Sequence, residues 1–299
     1  MQIALLNRDG DAVTAVRQQD GSFVDLQRTM MAFAEMTGRA EETVLSPLQA
    51  VCAGEGFREV WQEAVEMLTA NGLPRSTHPG DSALFAPIPR PNRILAIGRN
   101  YAEHAQELGN TVGEEPIVFV KASSCVVAPG SPIVIPAGVG RVDYEAELLV
   151  VIGKGGKHIL EAEAMSHVAG YTVFNDVTAR EKQRALQEKK HPWFLAKSLD
   201  TFGPMGPWLV TPDEIADPHQ LRVSLTVNGE IKQDGNTKQM VFSIPVLIAF
   251  LSRWMALEPG DVIATGTPSG VGAIVPGDIV SATVEGIGTL TNLVQMEQR

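Results

Sequence analysis

The sequence predicts an α+β protein, mainly strand with some helix, in which a small α+β unit over residues 1–85 precedes a strand-rich unit over residues 86–299. Three observations carry this. Apolar residues recur in short runs through most of the chain, as strands with a buried face require. Helical periodicity is confined to a few segments. Proline and glycine are unevenly spread, with only 3 of the 19 prolines and 7 of the 28 glycines before residue 86. The shift coincides with Pro87, Pro89 and Pro91, whose alternation predicts an extended connector, because proline disfavours helix in the residue before it.

In the first unit, residues 2–6, 12–16 and 23–26 read as short strands joined by polar turns such as Asp9-Gly10-Asp11. Residues 28–36 and 57–68 follow a helical period, the latter with Val60, Trp61, Ala64 and Leu68 on one face. Beyond the prolines, residues 93–97, 117–120, 133–135, 145–152, 171–174, 209–210 and 221–227 are short runs between Gly and Pro turns, the rhythm of a sandwich or barrel. Asn228-Gly229 is the strongest hairpin signal, since a type I′ turn needs positive φ at both central residues. Pro259-Gly260-Asp261 and Pro276-Gly277-Asp278 lead into further strands at 262–264 and 279–284. Two helices are expected at about 178–189 and 244–255, the second with Pro245 in its first turn, where proline is tolerated.

The 299 residues are 44% hydrophobic and 20% charged, a globular composition. An excess of 35 Asp and Glu over 24 Lys and Arg gives a net charge of -11, which repels phosphate backbones and anionic lipid. The expected partner is a small molecule, with no nucleic acid and no membrane. Residues 1–9 lack a basic and then apolar leader, and the longest apolar stretch, 241–251, is interrupted by Ser243 and Pro245. Cys52 and Cys125 lie far apart without a CxxC spacing, as expected of reduced thiols in the cytoplasm.

Several clusters invite chemistry. In Asp143-Tyr144-Glu145-Ala146-Glu147 the strand period puts Glu145 and Glu147 on one face, with Leu148 and Val150 on the other. Two such carboxylates either face water or share a hard divalent cation, Mg²⁺, Mn²⁺ or Ca²⁺. Asp176 closes the next strand, where it reads either as a turn or cap residue or as a third acid. Arg180 and Gln183, three apart on the following helix, share a face and together suit an anionic oxygen, or else a solvated surface. His104 and Glu107 are also three apart, the spacing by which a carboxylate orients an imidazole as a general base. The other five histidines read as structural or surface groups. Gly153-Lys154-Gly155-Gly156-Lys157 lacks the Walker spacing and predicts a hairpin turn. Gly266-Thr267-Pro268-Ser269-Gly270 has no helix after it, so no nucleotide cofactor is expected; its amides and the Thr267 hydroxyl are placed to approach a ligand carboxylate.

In this order, Gly98-Arg99-Asn100-Tyr101 with His104 and Glu107, Asp143 to Leu148, Asn175 to Arg180, Lys197 to Pro204, Val227 to Glu230 and Gly266-Thr267-Pro268 resemble the fumarylacetoacetate hydrolase family over about residues 92–294. The resemblance implies a mixed β-sandwich roll, a homodimer, and one Mg²⁺ or Mn²⁺ held by Glu145, Glu147 and Asp176. It further implies a His104–Glu107 dyad on a lid, with Arg180, Gln183, Lys197 and Thr267 around the substrate's carboxylate and keto oxygens. The activity expected is hydrolysis of a carbon–carbon bond in a 2,4-diketo acid, an acylpyruvate such as fumarylpyruvate, maleylpyruvate or a diketo-deoxy sugar acid. His104 would activate water, and Lys197 with the metal would stabilise the departing pyruvate enolate. Decarboxylation of oxaloacetate and isomerisation of a hydroxymuconate-type diacid start from a similar enolate and stand as alternatives on the same scaffold. From another class, a metal-dependent binding protein without turnover is the remaining alternative.

Overall fold

A computed structural model describes residues 1–39, 46–72, 76–107 and 113–298, without the side chains of 104–106. In chain order the described strands are β1 (Gln2–Arg8), β2 (Asp11–Arg17), β3 (Phe23–Asp25), β4 (Thr77–His78), β5 (Ile94–Gly98), β6 (Ile117–Lys121), β7 (Val126–Val127), β8 (Ile133–Ile135), β9 (Val142–Asp143) and β10 (Ala146–Ile152). They continue with β11 (Val168–Asn175), β12 (Thr178–Ala179), β13 (Gly203–Val210), β14 (Arg222–Val227), β15 (Glu230–Asn236), β16 (Val262–Ala264), β17 (Ala273–Ile274), β18 (Ile279–Val284) and β19 (Gly288–Met296). The helices are α1 (Leu26–Thr37), α2 (Pro47–Cys52), α3 (Gly54–Ala70), α4 (Ala102–Glu107), α5 (Arg180–Glu188), α6 (Phe194–Lys197) and α7 (Ile244–Trp254).

An eleven-stranded sheet runs β4-β3-β2-β1-β13-β11-β10-β16-β5-β6, with β7 beside β13. A five-stranded sheet, β15-β14-β18-β19-β8, and a short β12-β9-β17 sheet complete the architecture. β10 shows why the layers stack as they do. Its seven residues are all buried. Leu148, Val150 and Ile152 enter a core with Val223, Leu225, Val280 and Leu290 of the second sheet. Leu149 and Val151 enter the opposite core with Met30, Phe33, Phe57 and Trp61 of α1 and α3. Strand alternation therefore feeds two cores from one strand. The outcome is the expected α+β fold, mostly strand with some helix.

The sheet crosses the connector. β1 pairs antiparallel with β13, Ile3 opposite Leu209. Ala86 and Ile88 are buried in the same core as Ile3 and Leu149. The proline segment is thus packed, and a division into 1–85 and 86–299 remains a proposal about folding units.

Local expectations met three corrections. Residues 153–157 do not form a hairpin turn, because a longer connection with a 3₁₀ turn at Ala164–His167 separates β10 from β11. The helix expected from 178 begins at Arg180, because Thr178 and Ala179 pair with Asp143 and Val142 of β9. Leu209 and Val210 end an eight-residue strand whose Pro204 and Pro207 conceal it from a periodicity search. The Asn228-Gly229 turn is as expected, with φ of 52° and 82° and Val227 paired to Glu230.

Candidate active site

Four segments converge at the C-terminal end of β5, the start of β10, the β11–β12 junction and the α5–α6 region. β10 and β11 pair with Ala146 opposite Asn175, which brings Glu145 beside Asp176. Two bonds lock this corner: the Asp176 amide donates to the Glu145 carbonyl (2.8 Å), and the Glu145 amide donates to Asn175 Oδ1 (2.9 Å). Carboxylate oxygens of Glu145, Glu147 and Asp176 lie within 4.8 Å of one another. The three residues are only 5%, 2% and 1% exposed, so the reading of Glu145 and Glu147 as a water-facing strand surface fails. Asp176 is not the cap of α5 either, since Ala179 holds that place without a side-chain bond.

Buried acids need compensation. Lys197 Nζ donates to Glu145 Oε2 (2.8 Å) and Asp176 Oδ2 (2.6 Å). Arg180 divides its guanidinium among Asp143 (Nε, 2.8 Å), Gln183 Oε1 (Nη1, 2.7 Å) and Glu145 Oε1 (Nη2, 2.5 Å). Asp143 is itself buried between Arg180 and Arg141. Glu147 accepts from the Gly266 amide (2.8 Å) and touches no cation directly among the described residues. Burial, then the neighbouring Asp176 and Glu145, hold its carboxyl well above the usual carboxylate range. Burial lowers Lys197, but Asp176 and Glu145 outweigh it and leave the ammonium raised. Gly266 must be glycine: its φ is +98°, and a Cβ there would stand 2.9 Å from Asn100 Cβ.

A cavity of about 200 Å³ opens over this cluster, lined by Glu145, Glu147, Asp176, Arg180, Gln183, Lys197 and Thr267 among others. Gln183 accepts from Arg180 through its carbonyl, leaving its NH₂ to donate to a ligand. The Thr267 hydroxyl instead donates to the Ala146 carbonyl and accepts from Gln233, so its proton is not directed at the cavity. Glu107, on α4, lines the cavity and accepts from the Gly270 amide at 3.1 Å. His104 lies on the same helix, its side chain outside the described set. No histidine lines the cavity among the described residues.

One participant escaped the sequence reading. Lys121, at the end of β6, has a fully buried ammonium that donates to Asp176 Oδ1 (2.6 Å), the Val177 carbonyl (3.3 Å) and the Lys197 carbonyl. It fixes the Asp176 carboxylate so that Oδ2 turns to Lys197 and ties both segments to the sheet edge. A lone lysine ending an apolar strand resembles an ordinary edge charge. Only the fold brings it to Asp176.

The model of the fumarylacetoacetate (FAA) hydrolase C-terminal family matches residues 93–295. The chain belongs to the fumarylacetoacetate hydrolase family. Among the family's proteins it is 46% identical over 229 residues to the human mitochondrial oxaloacetate tautomerase, covering 74% of this chain and 71% of the relative. It is 33% identical to the 5-carboxymethyl-2-hydroxymuconate delta-isomerase of Mycobacterium smegmatis, with a TM-score of 0.75 and all of both chains covered. The maleylpyruvate hydrolase of Sphingobium sp. SYK-6, solved with manganese(II) and pyruvate, is 29% identical, with a TM-score of 0.78 over all of both chains. These fumarylacetoacetate hydrolase relatives include a tautomerase, an isomerase and a hydrolase. Among the described residues no helix is long and apolar enough to cross a membrane.

Proposed function

We propose that the chain is a metal-dependent enzyme that takes small 2-oxo acids through their enolate. The carrying observation is the buried Glu145–Glu147–Asp176 cluster at the floor of the cavity. An all-carboxylate donor set suits a hard divalent cation, Mg²⁺ or Mn²⁺, and these three residues would hold it. Manganese and pyruvate in the Sphingobium relative support that choice. When bound, the cation supplies Lewis-acid stabilisation of a substrate oxygen.

The chain's own groups do the rest. Lys197 and the Gln183 amide donate to developing negative charge on the 2-oxo group and carboxylate, while Arg180 holds Glu145 in place. Such preorganised donors act strongly where they are buried, as Lys197 and Gln183 are. The Glu107 carboxylate at the cavity takes a proton from C3 to give the enolate and returns it to carbon or oxygen, which interconverts keto and enol forms. Identity with the human tautomerase favours this outcome.

A second reading is hydrolysis of an acylpyruvate, and Glu107 at the cavity on the helix of His104 favours it. His104, oriented by Glu107, takes a proton from water; the oxygen bonds to C4, the C3–C4 bond breaks, and its electron pair becomes the pyruvate enolate. A homodimer in the cytoplasm belongs to the same proposal, supported by the family resemblance and by two free cysteines respectively.

The purified protein, assayed with Mg²⁺ and with chelator, is expected to accelerate loss of enol-oxaloacetate only with the metal. An acylpyruvate panel assayed for pyruvate release separates the two readings. Pyruvate release without enol turnover would replace tautomerisation by hydrolysis, and activity unchanged in chelator would remove the metal.

A further inference from the structure

Among the described residues, Arg180 is the cation that bonds both a member of the acid cluster, Glu145, and an acid outside it, Asp143. Asp143 is 1% exposed and does not line the cavity. It lies on β9, which pairs on one side with Thr178 of β12 and on the other with Ala273 of β17. Backbone bonds tie the same segment to the start of α5: the Arg180 amide donates to the Arg141 carbonyl (2.8 Å), and the Arg141 amide donates to Glu181 Oε1 (3.2 Å). Gly140 leaves room for that glutamate, since its φ is +79° and a Cβ there would stand 2.3 Å from Glu181 Oε2. The Asp143 carboxylate is thus fixed against Arg180 by strands and helix alike.

Held there, Asp143 Oδ2 accepts from Arg180 Nε at 2.8 Å, while Oδ1 accepts from Arg141 Nε at 2.6 Å. An arginine grips a carboxylate most strongly when two of its N–H groups meet both oxygens. Arg180 does not meet Glu145 in that way. With Nε on Asp143 and Nη1 on Gln183, only Nη2 bonds Glu145 Oε1, and Oε2 is left to Lys197.

The charge count points the same way. The three acids of the cluster together with Asp143 face four cations, Arg141, Arg180, Lys197 and Lys121. With every acid ionised the floor is balanced one for one. A divalent cation then adds two positive charges, which the enolate of a 2-oxo acid, with its carboxylate, offsets. Without Asp143 the cation would enter a floor already one charge positive.

We infer that Asp143 is a positioning residue for the metal site: by dividing Arg180 it keeps Glu145 out of a two-pronged ion pair that would compete with the divalent cation. This role rests on the carboxylate-held metal of the proposed function and adds to it a residue set back from the cavity.

The test is Mn²⁺ affinity, measured by calorimetry on the metal-free protein, with the denaturant midpoint recorded for each variant. Asp143→Asn keeps the shape of the side chain but loses its charge, so Arg180 turns to Glu145 and Mn²⁺ affinity is expected to fall about 10- to 100-fold, the size typical of partners that orient metal ligands. Combining Asp143→Asn with Arg180→Met removes the competitor as well and should recover most of that loss, whereas a merely structural role predicts a further loss. Arg141→Met, at an exposed position, releases Asp143 to Arg180 without emptying a buried site, and decides the matter if Asp143→Asn does not fold. Mn²⁺ should then bind at least as tightly as in the wild type. Wild-type affinity in Asp143→Asn, no recovery in the double variant, or weaker binding in Arg141→Met overturns the role of Asp143 and leaves the metal site standing. A wild-type protein that binds no Mn²⁺ would remove the metal site, and the role of Asp143 with it.

Discussion

Glu147→Gln is expected to lower turnover by about 10³-fold, the equivalent of several kcal/mol of lost metal-borne stabilisation. Glu147 is the member of the acid cluster without a direct cation partner among the described residues, and its buried carboxyl is held well above its usual range. A bound cation must displace that proton. Wild-type Mn²⁺ affinity should therefore fall as pH falls, because protonation competes with the metal. Glutamine removes both the charge and the proton, so the variant should bind weakly with a flatter pH dependence. The same raised carboxyl sets the sign for the metal-free fold. The folded state holds the proton more tightly than the unfolded chain does. Stability should thus decline as pH rises from the ordinary Glu range, about 4.3, toward the raised value. Mn²⁺ titrations at two pH values, with proton release recorded, check this; equal affinity in both proteins at both pH values would remove Glu147 from the metal site.

The second large effect is expected at Lys197. Lys197→Met leaves Glu145 and Asp176 without the ammonium between them. Removing one partner of a buried charge cluster typically costs about 3–5 kcal/mol, measurable in a denaturant midpoint. Turnover should fall about 10²- to 10³-fold, as for loss of a donor to developing negative charge. Mn²⁺ should restore much of the lost stability, because the cation acts on the same carboxylates. Lys121→Met removes the other ammonium on Asp176, but Lys121 does not line the cavity, so the stability loss should be similar and the effect on turnover smaller, about 10- to 100-fold through the displaced carboxylate. Unchanged midpoints in both variants would show that these lysines are not the counter-ions of the cluster.

The parts of the site legible in the sequence were those encoded by local periods. Strand alternation alone puts Glu145 and Glu147 on one face, and the helical period puts Arg180 beside Gln183, as the 2.7 Å bond between them shows. Long-range partners carry no such mark. Lys121 and Asp176 are 55 residues apart, and Gln233, whose side chain bridges the Ala146 amide and the Thr267 hydroxyl, sits in a hairpin with no local signal of that task. The same limit hid the fold's continuity. Nothing in residues 2–8 announces pairing with residues 209 and 210, because a strand's pattern specifies its buried face but not its neighbour. α2 could have been found: Ser46-Pro47 supplies a cap and a first-turn proline, and the Ser46 hydroxyl accepts from the Gln49 amide.

The most direct test is the binding of oxalate, a planar dianion that mimics the enolate of a 2-oxo acid, to the wild-type protein with Mn²⁺ and with chelator. Metal-dependent binding that is lost in Glu147→Gln is the expected result. Oxalate bound equally well in chelator, or not bound with Mn²⁺ present, would contradict a carboxylate-held metal site built for enolates.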